Sequence, residues 1–283
     1  MLCAAALSSC GGNGSSQGTV WKLDARTAGV QARTAVPGHP CALAVGRGPW
    51  VTNLDPGALY RVDGSARLAA KLSGDRPCGV AVGAGAVWVG TGRGSVIRVP
   101  GGRRFDTHVR AGLGNVVVFR RAVWAADLAG GVVRVADGVV RRVAGIGGTE
   151  QVAPLGGAVW AIAAGRGELV RIDARTLAVS RYPIGPSPKA IAAGGGALWV
   201  ALTDRRLLRF DPRRARATLV TRLPDAPILL APGAGLVWSL AANGRLARVD
   251  GRTGRATIAR GFGRRPFGLA LGAGALWVGT QNR

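Results

Sequence analysis

Few residues in this chain can do chemistry. Two histidines (His39 and His108), four cysteines (Cys3, Cys10, Cys41 and Cys78) and two glutamates (Glu150 and Glu168) are spread over 283 residues. Acid–base catalysis needs a donor and an acceptor that reach one substrate together. Only His39 with Glu150 offers such a pair, because His108 falls on a segment that reads as the outer edge of its unit. Cys41 and Cys78 follow a proline at matching points of two similar runs, "HPCALAVG" and "RPCGVAVG". An oxidising compartment would permit a disulfide between them if their Cα atoms approach within about 7 Å. Two free buried thiols, or a metal or redox pair, are the alternatives. No nucleophile elbow, phosphate-binding loop or zinc-ligand spacing occurs. Gly-rich stretches such as "GAGAVWVGTGRG" (Gly83 to Gly94) have no helix after them and read as hairpin turns.

Formal charge is +24, and only Lys22, Lys71 and Lys189 among the 38 basic residues are not arginine. Such a balance suits an anionic partner: nucleic acid, anionic lipid or cell-wall polymer. The arginines are spread through an Ala/Gly/Val-heavy chain, which fits the usage of a GC-rich genome equally well. No run of about 20 apolar residues is present, so no helix is expected to span a membrane. The start, "MLCAAALSSCGGNGSSQG", resembles a bacterial lipobox: a short apolar run, small residues at positions 8 and 9, then Cys10 and a polar linker. That resemblance implies lipidation at Cys10 and anchoring to the membrane.

What positions these residues is a repeat. Tryptophans stand at 50, 88, 124, 160, 199, 238 and 277, each in an apolar run. About ten residues later comes a second run with a central arginine: Arg61, Arg98, Arg134, Arg171, Arg209 and Arg248. The seventh tryptophan lacks one, but "GTVWKLD" near the start supplies the pattern with Lys22 in the arginine slot. The two chain ends therefore complete one unit. Units of short β-runs joined by glycine turns cannot bury both faces alone, and closing the ring removes the exposed ends. The expectation is an all-β seven-bladed β-propeller with four-stranded blades of about 38 residues, its last blade closed by N-terminal strands. Residues 1–10 read as a lipoprotein-type signal remnant, 11–17 as a flexible linker and 18–283 as a single propeller. Within one unit, strand A is "PCALAVG", B is "PWVTN", C is "ALYRVD" and D is "ARLAAKLSG". The tryptophans should pack between blades, the arginines should form a half-exposed ladder, and the Asp closing "KLDART", "RIDART", "RFDPRR" and "RVDGRT" should form Asx turns.

"SRYPIGPSPKAIAAGGGALWVALTDRRLLRFD" and "WVTN" (Trp50 to Asn53) resemble the YVTN-type propeller repeats, which are related to the streptogramin lyase (virginiamycin B lyase) propellers. The resemblance covers residues 18–283 and speaks strongly for the fold and weakly for function. A lyase would imply Mg2+ with histidine and glutamate on one loop face, which here means His39 and Glu150. The slot three residues after each tryptophan, often Glu in lyases, holds Asn53, Thr91, Asp127, Ala163, Leu202, Ala241 and Thr280. "DARTAG" resembles turns of quinone-dependent dehydrogenase propellers, but the acidic residues of their calcium site are lacking.

In propellers the D–A and B–C loops share one face. Here they carry His39, Asn53, Asp55, Arg76, Arg93, Asp127, Glu150, Arg166, Glu168, Lys189, Asp204 and Arg265. Those positions vary from blade to blade over a constant framework, which marks the face for recognition. The C–D turns on the other face are arginine-rich and offer a polyanion-binding rim. The reading is a monomeric, extracytoplasmic, lipid-anchored protein of the bacterial cell envelope. It binds an envelope protein, peptide or polyanion without catalysis, cofactor or metal; a metal-dependent lyase and a polyanion binder are the alternatives.

Overall fold

The computed structural model describes residues 17–263 and 265–282. Cys3 and Cys10, and with them the lipid-attachment reading, lie outside the described residues. Among those described, the chain forms seven four-stranded antiparallel sheets. Their innermost strands are Pro40–Val45, Pro77–Gly83, Leu113–Phe119, Val152–Leu155, Pro188–Gly194, Pro227–Gly233 and Pro266–Gly272. Each touches the next, and the last touches the first. The molecule is a seven-bladed β-propeller. We number the blades from the closing one and letter strands A to D from the axis outward.

Blade 1 joins the two ends of the chain. Strand Ala275–Gln281 pairs with Gln17–Asp24 from Gly18 opposite Gln281 to Asp24 opposite Ala275, and Val30–Pro37 adds the outer edge. Blades 2 to 7 follow in chain order, each as A, B, C, D. Blade 2 follows the sequence reading closely, with B at Pro49–Asn53, C at Ala58–Asp63 and D at Ser65–Lys71.

One cross-strand pair recurs in every blade. The B-strand tryptophan sits directly opposite the C-strand cation: Trp50 with Arg61, Trp88 with Arg98, Trp124 with Arg134, Trp160 with Arg171, Trp199 with Arg209, Trp238 with Arg248 and Trp277 with Lys22. The indoles of Trp88, Trp160, Trp199 and Trp277 each donate to the carbonyl five residues earlier. This bond ties strand B to the end of strand A. Seven apolar clusters fill the spaces between sheets, with Trp124, Trp160, Trp238 and Phe210 among the largest fully buried side chains.

Four of the C–D turns close as Asx turns. The Oδ1 of Asp24, Asp173 and Asp250 each accepts two backbone N–H bonds, and that of Asp211 accepts one from Arg213.

His108 departs from the sequence reading. The outer strand of blade 3 is only Arg104–Asp106, and His108 lies beyond it in the D–A segment. Asp106 Oδ1 accepts the His108 N–H at 2.9 Å, and His108 takes φ 57°, so the strand stops. A non-glycine residue in that region cannot continue a ladder.

Candidate functional site

Strand A starts with a β-bulge in most blades. Cys41, Cys78, Lys189, Ile228 and Phe267 each lie at an extra position between two residues that pair in order with strand B, and in blade 4 Gly114 and Asn115 together stand against Ala126. A bulge turns its extra residue out of the ladder, and here the side chains of Cys41, Cys78, Asn115 and Lys189 link neighbouring blades or loops. Cys41 and Cys78 form a disulfide between blades 2 and 3, with Cα atoms 5.1 Å apart. Asn115 reaches from blade 4 to Val152 of blade 5, donating to its carbonyl at 3.0 Å and accepting its N–H at 2.7 Å. Lys189 of blade 6 meets Glu150, at the start of blade 5, at 3.0 Å.

Two glutamines extend this collar. Gln151 accepts from Ile191 N–H and donates to the Ile228 carbonyl, joining blades 5, 6 and 7. Gln281 donates to the Pro40 carbonyl, joining blade 1 to blade 2. The proline before five of the six bulges was visible in sequence; Asn115 follows Gly114 instead. The cross-blade partners were not, because they depend on which residue the neighbouring blade presents.

Most carboxylates of this face are already matched. Asp75 holds Arg104 bidentately at 2.7 Å. Asp127 is fully buried and holds Arg142 at 2.5 Å, while Glu168 meets Arg181 at 3.0 Å. Asp204 meets Arg206 at 2.7 Å and Asp225 meets Arg245 at 3.3 Å. Asp204 is held below the usual carboxylate range: slight burial pushes it up, and the Arg206 side chain and N–H bonds outweigh that. Asn53 is also fully buried, with its amide on the Pro37 carbonyl. Asn53 Oδ1 and the neighbouring Thr52 hydroxyl have no hydrogen-bond partner.

The exposed members of the face are Asp55, Arg76, Arg93, Arg166, Asp204 and Arg265. Among the described residues, Arg76, Arg93, Arg166 and Arg265 have no carboxylate partner. The face thus presents mainly unpaired positive charge.

His39 and Glu150 belong to blades that do not adjoin. His39 precedes strand A of blade 2, where its Nδ1 lies 4.0 Å from Asp55 Oδ2. Glu150 precedes strand A of blade 5, with blades 3 and 4 between them by the shorter way round the ring. Among the described residues, no three His, Cys, Asp or Glu side chains gather where they could hold a metal ion.

No protein-family model and no curated protein matches this chain. Solved structures match in fold. The WD40 β-propeller domain of Doa1 superposes with a TM-score of 0.72 at 8% identity, covering 93% of this chain and 97% of that one. The computationally designed Ika8 protein gives 0.69 at 16% identity, over 92% and 89%. The extracellular domain of BT4673 from B. thetaiotaomicron, described as a one component system, gives 0.65 at 16%, over 82% of this chain and 38% of that one.

Proposed function

We propose that this propeller is a non-catalytic binding module of the bacterial cell envelope, held outside the cytoplasm through a lipid at Cys10. Its D–A/B–C face recognises an acidic surface on a partner protein or peptide. The observation that carries the reading is the charge arrangement of that face. Its carboxylates are largely consumed by arginine or lysine partners, whereas Arg76, Arg93, Arg166 and Arg265 are exposed without one. Unpaired surface cations steer and orient an anionic partner at little desolvation cost. An extracytoplasmic place is supported by the Cys41–Cys78 bridge, which oxidising compartments favour, and by the fold likeness to an extracellular domain.

His39 and Glu150 sit on blades that do not adjoin, and Glu150 is engaged by Lys189, which speaks against shared acid–base chemistry. The test is crosslinking capture from source membranes with wild-type protein and with Arg76→Glu/Arg93→Glu/Arg166→Glu. The captured partner should be lost in this variant and kept in Arg213→Glu/Arg252→Glu, which changes the opposite rim. Retention in the first and loss in the second would move recognition to the arginine-rich turns, the polyanion reading. Its mark would be affinity for a nucleic acid or teichoic acid that falls steeply with salt. Mg2+-dependent opening of a cyclic depsipeptide, abolished in His39→Ala, would replace the proposal with a lyase.

A further inference from the structure

On the opposite face a cleft of about 320 Å3 opens between blades 1 and 2. Its rim is formed by the A–B turn at Arg47 and the C–D turn at Gly64, and its walls include Lys22, Thr34, Arg61, Val62 and Trp277.

The strand register explains why the space is there. Between blades 5 and 6, Trp160 is packed by the rings of Tyr182 and Phe210, at centroid distances of 5.5 and 5.8 Å. Tyr182 pairs with Leu169, two residues before the Arg171 that faces Trp160. The matching residue in blade 1 is Thr34, which pairs with Val20, two residues before the Lys22 that faces Trp277. Phe210 directly follows Arg209, and its counterpart in blade 2 is Val62, directly after Arg61. Both rings are therefore replaced by small side chains, and both replacements line the cleft. The fully buried residues at this interface are the valines Val20, Val36, Val51 and Val62. Trp277 is left half-buried, where Trp160 is 1% exposed.

The charge around the cleft is equally specific. Lys22 Nζ lies 5.9 Å from the Trp277 ring centroid, and Arg61 lies 5.9 Å from that of Trp50. With Arg47 they make three cations against one carboxylate in the lining, Asp63. Among the described residues, none of the three has a carboxylate partner.

We infer that this cleft binds a planar aromatic anion. The ring takes the space that Tyr182 and Phe210 fill between blades 5 and 6, against Trp277. The acidic group turns toward Lys22, Arg47 and Arg61. The volume stands at the low end of small-molecule pockets and suits one or two fused rings. The site goes beyond the loop-face reading and lies on the other side of the molecule. Its walls come from both chain ends, so an occupant binds only the closed ring and raises thermal stability.

The experiment is calorimetric titration of the full chain with naphthalene-2-sulfonate, with 2-naphthalenemethanol as the neutral counterpart. The expected result is saturable one-site binding of the sulfonate, at least about fivefold tighter than the alcohol, a ratio set by charge at a partly exposed site. Thr34→Tyr/Val62→Phe, which rebuilds the packing of blades 5 and 6, should abolish binding without lowering the melting temperature. Arg47 lies in an exposed turn, so Arg47→Glu should fold normally and weaken the sulfonate about tenfold while leaving the alcohol unchanged. The loop-face variant Arg76→Glu/Arg93→Glu/Arg166→Glu should bind the sulfonate as wild type does, which separates failure here from failure of the partner reading. No saturable binding at millimolar sulfonate, equal affinity for the alcohol, or wild-type affinity in Arg47→Glu would each overturn the assignment.

Discussion

Asp173 shows how one carboxylate can end a strand. Its Oδ1 accepts the N–H groups of Arg175 and Thr176, both at 3.0 Å. The Thr176 N–H, then the Arg175 N–H, hold its pKa at about 2, and Asp24 and Asp250 are lowered by the same geometry. A carboxylate near 3.9 in the unfolded chain and lowered in the folded one adds stability above the higher value. That contribution is lost as pH falls through the lower one. We therefore expect the Asp173 carboxyl carbon to titrate near pH 2 by NMR; a midpoint close to 4 would mean that the turn N–H groups do not hold it. These turns were legible in "KLDART" and "RIDART" because donor and acceptor lie two or three residues apart. The pairing of Asp127 with Arg142 was not, since fifteen residues and a full hairpin separate them. Asp127 read as an accessible ligand group, and its burial follows from the position of strand D rather than from its own neighbours.

Between elements, neighbouring inner strands approach closely, and Gly79 is one of the glycines that permit it. A Cβ on Gly79 of blade 3 would fall 2.5 Å from the Gly114 carbonyl oxygen and 2.8 Å from Val116 Cγ2 of blade 4. Backbone cannot move aside as a side-chain tip can, so Gly79→Ala is overpacked, at a cost of about 1–3 kcal/mol. Ala42 holds the same place after the bulge in blade 2. Ala42→Gly is the matched control, expected to cost no more than about 1 kcal/mol of backbone entropy. Denaturant midpoints of the two variants check the difference, and equal effects would show that the strands can separate at Gly79. Strand order and approximate limits were readable from the alternation of apolar runs with Gly turns. The bulges were not. "PCALAVG" looks like an unbroken strand, and only pairing with "PWVTN" reveals the extra residue at Cys41. The cleft between blades 1 and 2 was hidden for the same reason, because Thr34 and Val62 are unremarkable until set against Tyr182 and Phe210.

The whole molecule depends on joining strands from opposite ends of the sequence, which the tryptophan spacing and the displaced Lys22 already implied. Strand Ala275–Gln281 is an interior strand only because Gln17–Asp24 lies beside it. Without that partner it would be an open edge, able to pair with another copy of the chain. Residues 17–37 also bring Val20, Leu23 and Val36 to at most 1% exposure. Burying three such side chains contributes about 5–9 kcal/mol, comparable with the whole stability of an ordinary domain, about 5–15 kcal/mol. A chain lacking residues 1–37 should thus lose the wild-type cooperative melting transition and associate, as read by circular dichroism and size-exclusion chromatography. A peptide of residues 17–37 supplied in trans should restore both the transition and the monomer, since it returns the same ladder to the same edge. The disulfide between blades 2 and 3 lies next to this closure but does not cross it, so it cannot substitute for the missing strands. If the shortened chain melted as the full one does, six blades and a half would be stable alone, and the closing strands would serve only to shape the cleft beside Trp277.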